Sequence, residues 1–303
     1  MNSDVTKIVV TGASGFLGRS LINYFKNKET FIVYALSSQY DKLRQYNTSE
    51  NIKYCHKDEL FKSRNKSILE DSILINCAFP RNSSGTGMAD GLKYIQGVFL
   101  NAKECNVKKI INISSQSVYS SKRDLAATEE MPVCLETTYA VGKYATELML
   151  ETVFTGTDIS FTNIRLASLI GPGFNQRFVN RFVKFAVDGI DLTVNAGRQR
   201  YGFLDIKDAV YGIAAIINSE RFDWKKVYNL GPKDGYTVEE IAQLVCLLSE
   251  RYCRKRINYK INAVDDSTNS ALDSTLFYKD FNWEPDMSLV SSIEEIFKNE
   301  VVK

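Results

Sequence analysis

Short apolar runs alternate with amphipathic stretches along the first half of this 303-residue chain. The runs are continuous rather than alternating apolar with polar, which is typical of strands covered on both faces, and they span residues 7–10, 31–36, 73–78, 109–114 and 159–165. Stretches with helical spacing lie between them at 16–25, 92–105 and 139–154. Strands that alternate with helices predict an α/β fold with a doubly wound parallel sheet.

The alternation loosens after residue 173. Here we predict a helix over 175–187, a strand over 203–206, a helix over 209–217 capped by Asp208, and a capping box from Thr237 to Glu240. The sequence thus predicts a first domain over residues 1–168 and a smaller C-terminal α/β lobe over 169–303. Residues 203–220 follow this boundary in the sequence but can belong to the first domain.

The composition of the chain argues against some classes of binding partner. Lysine plus arginine number 38 and aspartate plus glutamate 36, so the formal charge of +2 gives no electrostatic case for a nucleic acid or an anionic membrane as partner. No apolar run approaches the ~18 residues of a membrane span. The N-terminus leaves no room for a signal peptide before the first strand. We therefore expect a soluble, cytoplasmic protein.

His56 is the single histidine of the chain. A multi-histidine zinc site therefore cannot be built, and a Ser-His-Asp triad could use that one ring at most. We expect no metal. The six cysteines form no C-x-x-C pair, and we expect reduced core thiols; they are Cys55, Cys77, Cys105, Cys134, Cys246 and Cys253.

A glycine-rich turn joins the first predicted strand to the first predicted helix, with Gly12, Gly15 and Gly18 three residues apart. Gly12 permits a tight turn, Gly15 lets the backbone approach a pyrophosphate, and Gly18 lets the helix pack close to the sheet. The helix N-terminus adds amide donors and a positive dipole. This turn predicts a dinucleotide site.

The end of the second predicted strand bears on which dinucleotide binds. An acidic residue there would hold the adenosine ribose, but the chain has Ser37 and Ser38, with no carboxylate until Asp41. Small hydroxyls, with Lys42 and Arg44 just beyond, would tolerate a 2′-phosphate. The cofactor prediction is NAD(P), with NADP weakly favoured over NAD.

Two segments carry candidate catalytic residues. The strand over 109–114 runs into hydroxyl-rich residues that include Ser115, at the end of the sheet that faces the ligand crevice. Tyr139 and Lys143 are four residues apart and share one face of a predicted helix. An ammonium favours the ionised form of a nearby phenol, whose ordinary pKa is about 10. Tyr139 can then exchange a proton with a ketone or alcohol, and Ser115 can hydrogen-bond the same oxygen.

Together these segments resemble the extended short-chain dehydrogenase/reductase family, in its NAD-dependent epimerase/dehydratase branch of nucleotide-sugar epimerases and reductases. The resemblance runs nearly end to end, and its other marks are residues 165–173, 203–208, 228–231 and 282–285. It implies a Rossmann fold with a substrate lobe, a nucleotide-diphosphate sugar as substrate, and work in polysaccharide biosynthesis. It also implies a homodimer that pairs the helices at 92–105 and 139–154.

The resemblance implies roles for individual residues. Ser115, Tyr139 and Lys143 would form the catalytic triad. The cofactor would contact Gly12, Ser14, Gly15, Phe16, Leu17, Gly18, Ser37, Ser38, Asp58 (at the adenine), Cys77, Ala78, Phe79, Tyr139, Lys143 and Leu166. The substrate would contact Arg81, Ser117, Ser168, Asn175 and Arg200.

Departures from the family pattern bear on the reaction. Sugar dehydratases of this branch carry an Asp-Glu pair directly after the catalytic hydroxyl residue, whereas this chain has Gln116 and Ser117. A 4,6-dehydratase is therefore disfavoured. Ser168 replaces the asparagine usually found shortly before Gly-Pro-Gly, which puts the contacts made there in doubt.

A further departure concerns the substrate diphosphate. The arginine that often binds it aligns with Tyr201, while Arg200 is adjacent and Arg198 is nearby. A guanidinium fork suits a diphosphate, so we expect one of these two arginines to bind it. The other interpretation is that both are solvated loop charges.

The sequence thus predicts an NAD(P)-dependent enzyme acting at C4 of a nucleotide-diphosphate sugar. Tyr139 would move the proton, the nicotinamide the hydride, and Ser115 would polarise the C4 carbonyl. A 4-ketoreductase is slightly favoured over a 4-epimerase, because of the hydroxyls at 37–38 and the missing acidic pair. Two other interpretations stay open: a reductase of a non-sugar ketone, and a redox sensor that binds the dinucleotide without turnover.

Overall fold

The computed structural model describes residues 5–46, 49–81, 85–221 and 223–302. The strands are β1 (Thr6–Thr11), β2 (Phe31–Ser37), β3 (Ile52–His56), β4 (Ser72–Asn76), β5 (Lys109–Ser115), β6 (Ser160–Leu166), β7 (Ser168–Ile170), β8 (Leu192–Ala196), β9 (Phe203–Asp205), β10 (Val227–Leu230) and β11 (Tyr259–Ala263). The helices are α1 (Phe16–Phe25), α2 (Tyr40–Tyr46), α3 (Thr86–Glu104), α4 (Thr138–Phe154), α5 (Phe178–Asp188), α6 (Ile206–Asn218), α7 (Val238–Cys253), α8 (Thr275–Phe281) and α9 (Leu289–Val301).

A central sheet holds seven of these described strands in the order β3-β2-β1-β4-β5-β6-β10. β1 pairs in parallel with both β2 and β4, and the β2–β3 and β4–β5 pairs are also parallel. The chain runs outward from β1 to β3, then returns and runs outward from β4 in the other direction. The predicted doubly wound parallel sheet is confirmed. Its order reverses between β1 and β4, where ligands bind in such sheets.

One face of the sheet changes from apolar to polar within two residues. Val9, Leu74 and Ile110, on β1, β4 and β5, pack against α3 and α4 in a buried apolar cluster. Two residues further along the same strands, and so on the same face, lie Thr11, Asn76 and Asn112. These three polar side chains, together with Asn163 on β6, are at most 2% exposed. We call these four residues the amide row.

The amide row is a continuous chain of hydrogen bonds. Thr11 Oγ1 donates to Asn76 Oδ1 (2.6 Å), Asn76 Nδ2 to Asn112 Oδ1 (2.9 Å), and Asn112 Nδ2 to Asn163 Oδ1 (2.8 Å). At one end Thr11 Oγ1 accepts from the amide of Ala78, and at the other Asn163 donates to the main chain of Lys226. Asn112 also donates to Thr146 Oγ1 on α4. The buried polar atoms of the row therefore have partners, as a packed interior requires.

The chain divides into two units. Unit 1 comprises the described residues up to Val118, Leu135–Arg165 and Ile216–Tyr228. Unit 2 comprises Tyr119–Cys134, Leu166–Ala215 and the described residues from Asn229 onward. The core of unit 2 is a cluster formed by α5, α7, α9 and the strands β8 and β9, and it includes Val183, Ile241 and Phe297. Two short parallel pairs, β7–β9 and β8–β11, complete the strands described in this part of the chain.

The helix termini follow the predicted capping only in part. The Thr237–Glu240 capping box is present at the start of α7, as predicted. The predicted cap at Asp208 is wrong, because α6 begins at Ile206 and the amide of Lys207 donates to Asp205 instead. The Asp208 carboxylate accepts from the amides of Asp286 and Met287.

The six cysteines are free, and Cys105 is buried in the core of unit 1. Cys55, Cys246 and Cys253 are half-buried and pack against apolar core clusters, and Cys77 is half-buried. Cys134 is exposed, so the expectation of a core thiol is wrong there. No helix in the described ranges is both long enough and apolar enough to cross a membrane.

Candidate active site

The glycine loop after β1 has the close approaches that its sequence predicts. Gly12 has φ +65°, and a Cβ there would lie 2.6 Å from the amide nitrogen of Ala78. A Cβ on Gly18 would overlap the main chain of Gly12 and Ala13. Gly15 precedes α1, no side chain caps this helix, and helical geometry leaves the first-turn amides without intrahelical acceptors. These features fit a dinucleotide pyrophosphate.

The hydroxyls at the end of β2 contact the glycine loop. Ser37 Oγ donates to Ser14 Oγ (2.9 Å) and accepts from the amide of Gln39 (2.9 Å). Ser37 is buried, whereas Ser38 is exposed. The edge of the loop that would face an adenosine ribose is thus formed by hydroxyl groups.

Asp58 lies in a short 3-10 helix, Lys57–Phe61, directly after β3. Its carboxylate is half-exposed and forms an ion pair with Lys57 (2.6 Å). His56 caps this turn, because its Nδ1 accepts from the amide of Asp58. His56 therefore has a local structural contact at the end of the sheet where the adenine is expected.

The carboxyl end of β5 carries two hydroxyls in contact. Ser115 Oγ donates to Ser117 Oγ (3.0 Å) and accepts from the amide of Ser117 (3.2 Å). Ser115 is buried and Ser117 is half-buried, in the 3-10 turn Gln116–Val118. The Gln116–Val118 turn contains no carboxylate, and the Ser115 and Ser117 hydroxyls are neutral groups that it and the end of β5 present.

Helix α4 carries Tyr139 and Lys143 one turn apart. Thr137 caps the helix, since its Oγ1 accepts from the amide of Ala140 (3.1 Å). Lys143 is buried, and its Nζ donates to the main-chain oxygen of Ile113 on β5 (2.7 Å). The pKa of Lys143 is lowered from 10.5 to about 8, chiefly by burial; Cys77 and Glu147 act against this shift, and the nearby Arg81 guanidinium contributes to it.

Tyr139 and Lys143 are linked through a third side chain, Phe79. The Lys143 ammonium lies 4.3 Å from the centre of the Phe79 ring. That ring packs nearly perpendicular to Tyr139, with 5.2 Å between ring centres. On the other side, the Arg81 guanidinium lies 5.9 Å from the Tyr139 ring. The four side chains form one series, Lys143–Phe79–Tyr139–Arg81, which we call the ring stack.

A buried ion pair lies one turn beyond Lys143 on α4. Arg165 on β6 binds Glu147 through Nε and through Nη2 (2.8 Å), and both side chains are about 5% exposed. Ser114, the residue before Ser115, also donates to Glu147. This pair was not predicted from the sequence, although the spacing of Glu147 from Lys143 puts both on one face of the helix.

The remaining candidates for substrate contacts lie in unit 2. Ser168 is buried in β7, and Asn175 is exposed in the loop before α5. Arg200 is exposed, and its Nη2 donates to the main-chain oxygen of Gly235 (3.0 Å). Tyr201 stacks on Phe203 with 5.8 Å between ring centres, so it serves the aromatic packing of this unit.

The structure of unit 1 thus gathers many of the cofactor and catalytic candidates into local groups. Three groups form: the glycine loop with Ser37, the Ser115–Ser117 hydroxyls, and the ring stack. Cys77 and Ala78 follow β4 directly beside Gly12. Leu166, the last residue of β6, belongs to unit 2. Asn82, which follows Arg81, lies outside the described residues, as do Ser83 and Ser84.

The fold and the glycine loop define a doubly wound α/β protein of the dinucleotide-binding type. Residues 8–231 match the NAD dependent epimerase/dehydratase family. The match covers more than half of the chain, so the chain belongs to this family of enzymes. The family prediction and the predicted fold class are both confirmed.

Relatives and solved structures agree with this membership. The chain is 23% identical to CDP-abequose synthase from Salmonella typhimurium, over 96% of this chain and 97% of that protein. It is 22% identical to UDP-glucuronic acid decarboxylase 1 from Arabidopsis thaliana, over 98% and 71% of the two chains. A crystal structure of the UDP-glucuronic acid 4-epimerase from Bacillus cereus, in complex with UDP-glucuronic acid and NAD, superposes with a TM-score of 0.81 and 19% identity over 97% and 99% of the chains. At this identity, the structural likeness concerns the fold.

Proposed function

We propose that this chain is an NAD(P)-dependent reductase of a nucleoside diphosphate sugar that carries a ketone at C4. The observation on which the proposal depends is the fixed arrangement of α4 and β5. Lys143 is held on Ile113 O, two residues before Ser115 on β5, and Tyr139 lies one turn before Lys143 on α4. A phenol and a hydroxyl at the carboxyl end of a parallel strand suit the reduction of a ketone.

Each residue has a defined role in this proposal. Tyr139 donates its phenolic proton to the ketone oxygen, and Ser115 turns its hydroxyl from Ser117 to the same oxygen, which stabilises the developing charge. The Lys143 ammonium stabilises the phenolate left on Tyr139. When bound, the nicotinamide supplies a hydride to the carbonyl carbon. The absence of a carboxylate in the Gln116–Val118 turn disfavours the loss of water, which needs a further acid and base.

The cofactor in this proposal is NADP. The Ser14–Ser37 hydroxyl pair can donate to a 2′-phosphate, whereas a carboxylate at this place would repel it. Asp58, the acidic residue that we expect at the adenine, is paired with Lys57. The pair thereby adds little net negative charge near the adenosine.

The proposed substrate is defined by its diphosphate and its sugar, and the base of the nucleotide is left unspecified. The named relatives act with CDP- or UDP-linked sugars, according to their names. In this chain Arg198 and Arg200 are exposed cations that suit a diphosphate. We propose Arg200 as the ligand, together with Arg81, Ser117, Ser168 and Asn175 as contacts for the sugar nucleotide.

Location and assembly complete the proposal. We propose that the enzyme works in the cytoplasm, in polysaccharide biosynthesis, as a homodimer. Leu100 on α3 and Val141 and Leu148 on α4 are each about half exposed, and a second copy of the chain could cover them. Residues 1–168 would bind mainly the cofactor, and the rest of the chain mainly the substrate.

The deciding experiment combines the purified chain with NADPH and a panel of 4-keto-6-deoxy nucleotide sugars. We expect NADPH oxidation in a 1:1 ratio to sugar reduced. Interconversion of two nucleotide sugars without net cofactor consumption would establish a 4-epimerase instead and overturn the reductase.

A Tyr139→Phe variant separates catalysis from binding. Turnover should fall by about 10²–10⁴-fold, the usual contribution of a positioned proton donor. Cofactor affinity, measured by calorimetry, should change less than about twofold. Unchanged turnover would contradict the role of Tyr139, and a cofactor that binds without turnover of any sugar would favour a sensor.

A further inference from the structure

The segment directly after β4 packs into two places where helices lack side chains. A Cβ on Gly142 of α4 would lie 2.9 Å from Cζ of Phe79. A Cβ on Gly91 of α3 would overlap the ring of Pro80. Phe79 therefore lies against the backbone of α4 and Pro80 against that of α3, and these two contacts set the position of the Phe79 ring.

That position brings the Phe79 ring between the two candidate catalytic groups of α4. Its face receives the Lys143 ammonium at 4.3 Å from the ring centre, a distance at which cation and ring attract each other. The perpendicular contact with Tyr139, at 5.2 Å between centres, is a favoured aromatic geometry. Lys143 and Tyr139 thus share one neighbour, whose removal would affect both.

The charged and polar groups around Lys143 do not by themselves determine the protonation of its ammonium, so the Phe79 ring can contribute to it. The groups that act on its ammonium are the Cys77 thiol after β4, the Arg81 guanidinium, Glu147 on α4, and the Ile113 oxygen on β5. Arg165 and Ser114 bind Glu147, so its charge is largely compensated by its own partners. Burial opposes the charged form of Lys143, and the negative face of an aromatic ring favours it.

We propose that Phe79 is a positioning residue for the reaction: the face of its ring stabilises the Lys143 ammonium, the bulk of its side chain excludes water from that group, and its contact with Tyr139 fixes the orientation of the phenol. The effect on the rate rests on the proposed function, whereas the effect on Lys143 does not. Substitutions of Phe79 should therefore have two opposing effects on Lys143. Replacing the ring by an aliphatic side chain destabilises the ammonium, whereas removing the whole side chain admits water, which stabilises the ammonium.

Three substitutions distinguish these consequences. Phe79→Leu keeps apolar bulk without a ring face, so the pKa of Lys143 should fall by about half a unit to one unit. Phe79→Ala admits water, and because burial is the largest cause of the present shift, the pKa should rise by about one unit or more. Phe79→Tyr keeps the ring and should leave the pKa within about 0.3 units.

The readout is a ¹⁵N NMR titration of the lysine Nζ groups in the full-length, cofactor-free chain, with the Lys143 signal assigned by its absence in Lys143→Arg. Phe61→Leu is the matched control. Phe61 packs against Gly97 and Tyr94 of α3 much as Phe79 packs against α4, yet its ring does not contact Lys143. This control should leave the Lys143 pKa unchanged.

The outcomes are decisive in both directions. A fall in Phe79→Leu, a rise in Phe79→Ala and no change in Phe79→Tyr support the proposal. Equal Lys143 pKa values in the leucine and tyrosine variants, or no rise in the alanine variant, overturn it. If the wild-type chain turns over no nucleotide sugar, the proposed function fails, but the titration still decides the role of Phe79.

Measuring kcat of the Phe79 variants as a function of pH tests whether the effect on Lys143 also changes catalysis. With a reducible sugar nucleotide, the alkaline limb of the pH–kcat profile should move in the same direction as the Lys143 pKa in each variant. Phe79→Leu should also lower kcat by about tenfold with KM changed less than twofold, since the orientation of Tyr139 matters in the chemical step. A change confined to KM would contradict the positioning role.

Discussion

Lys143 donates a hydrogen bond from Nζ to the main-chain oxygen of Ile113, 2.7 Å away, and both residues are buried. This hydrogen bond fixes the position of helix α4 along strand β5 at the level of Lys143. One residue further along β5, Ser114 donates to Glu147, one turn further along α4. Two successive contacts thus set the register of the helix on the strand, and with it the relation of Tyr139 to Ser115.

The titration of Lys143 should appear in the stability of the chain. Burial lowers its pKa from 10.5 to about 8, so between these values the unfolded chain binds more protons than the folded chain. Stability from this group therefore rises with pH across that window, and the full cost of the buried ammonium is present below it. Relative to Lys143→Met, we expect the wild-type free energy of unfolding to gain up to about 3 kcal/mol from pH 8 to 10.5. Urea denaturation at several pH values measures this, and parallel curves for the two proteins would refute it.

The Glu147–Arg165 pair should be costly to break on one side. Arg165→Met leaves a buried carboxylate without its partner, so the free energy of unfolding should fall by about 3–5 kcal/mol. The double variant with Glu147→Met removes both charges and should be more stable than the Arg165 single variant. Lys226→Met, which breaks the exposed pair with Glu151, is the matched control and should cost at most about 1 kcal/mol. Additive effects of the two core substitutions would show that the pair is not coupled.

The amide row predicts a large effect for its central residue. Asn112→Leu preserves approximate size but leaves Asn76 Nδ2, Asn163 Oδ1 and Thr146 without this partner. Buried polar groups left unpaired cost about 1–3 kcal/mol each, so we expect a loss of at least about 3 kcal/mol in urea denaturation. Asn262→Ala, at an exposed amide of unit 2, should change stability by no more than about 0.5 kcal/mol. Similar losses for both variants would contradict the buried network.

Two glycines with similar backbone angles should respond differently to alanine. Gly12 and Gly156 have φ of +65° and +79°, so both substitutions carry a backbone strain of about 1 kcal/mol. A Cβ at Gly12 also meets the main chain of Cys77 and Ala78, whereas at Gly156 it meets open space. Gly12→Ala should therefore lower the melting temperature further and weaken binding of the dinucleotide, NAD or NADP, by at least about tenfold. Gly156→Ala should leave the affinity for the dinucleotide unchanged. Calorimetry checks both, and equal affinities would contradict the predicted role of the glycine loop.

Local sequence signals were enough for the glycine loop and for five of the seven described strands of the central sheet; β3 and β10 were not predicted from such signals. Strands buried on both faces produce continuous apolar runs, so β1, β2, β4, β5 and β6 could be recognised without knowing their neighbours. Helix α3 begins at Thr86, six residues before the predicted start. The reason lies in its first turns, where Gly91 packs on the Pro80 ring and the apolar periodicity is weak.

Contacts between residues far apart in the sequence could not be predicted from these local patterns. Asn76, Asn112 and Asn163 each interrupt an apolar run, which is an informative anomaly. Their pairing, however, depends on a register that no single run contains. The same holds for Glu147 and Arg165, because α4 and β6 supply one partner each. Phe79 was predicted to line the cofactor, and its contact with Lys143 depends on Gly142, the residue directly before Lys143 on α4.

The amide row also limits how this sequence can vary. Each member donates toward the same side of the sheet, from Ala78 toward Lys226, so every amide has one allowed orientation. Aspartate would lack the donor, glutamine would exceed the spacing between strands, and an aliphatic residue would lack both functions. A tolerated change at one of these positions therefore requires compensating changes at its neighbours. Substitutions at Thr11, Asn76, Asn112 and Asn163 should accumulate jointly in descendants of this chain, as a single mutational unit spread over four strands.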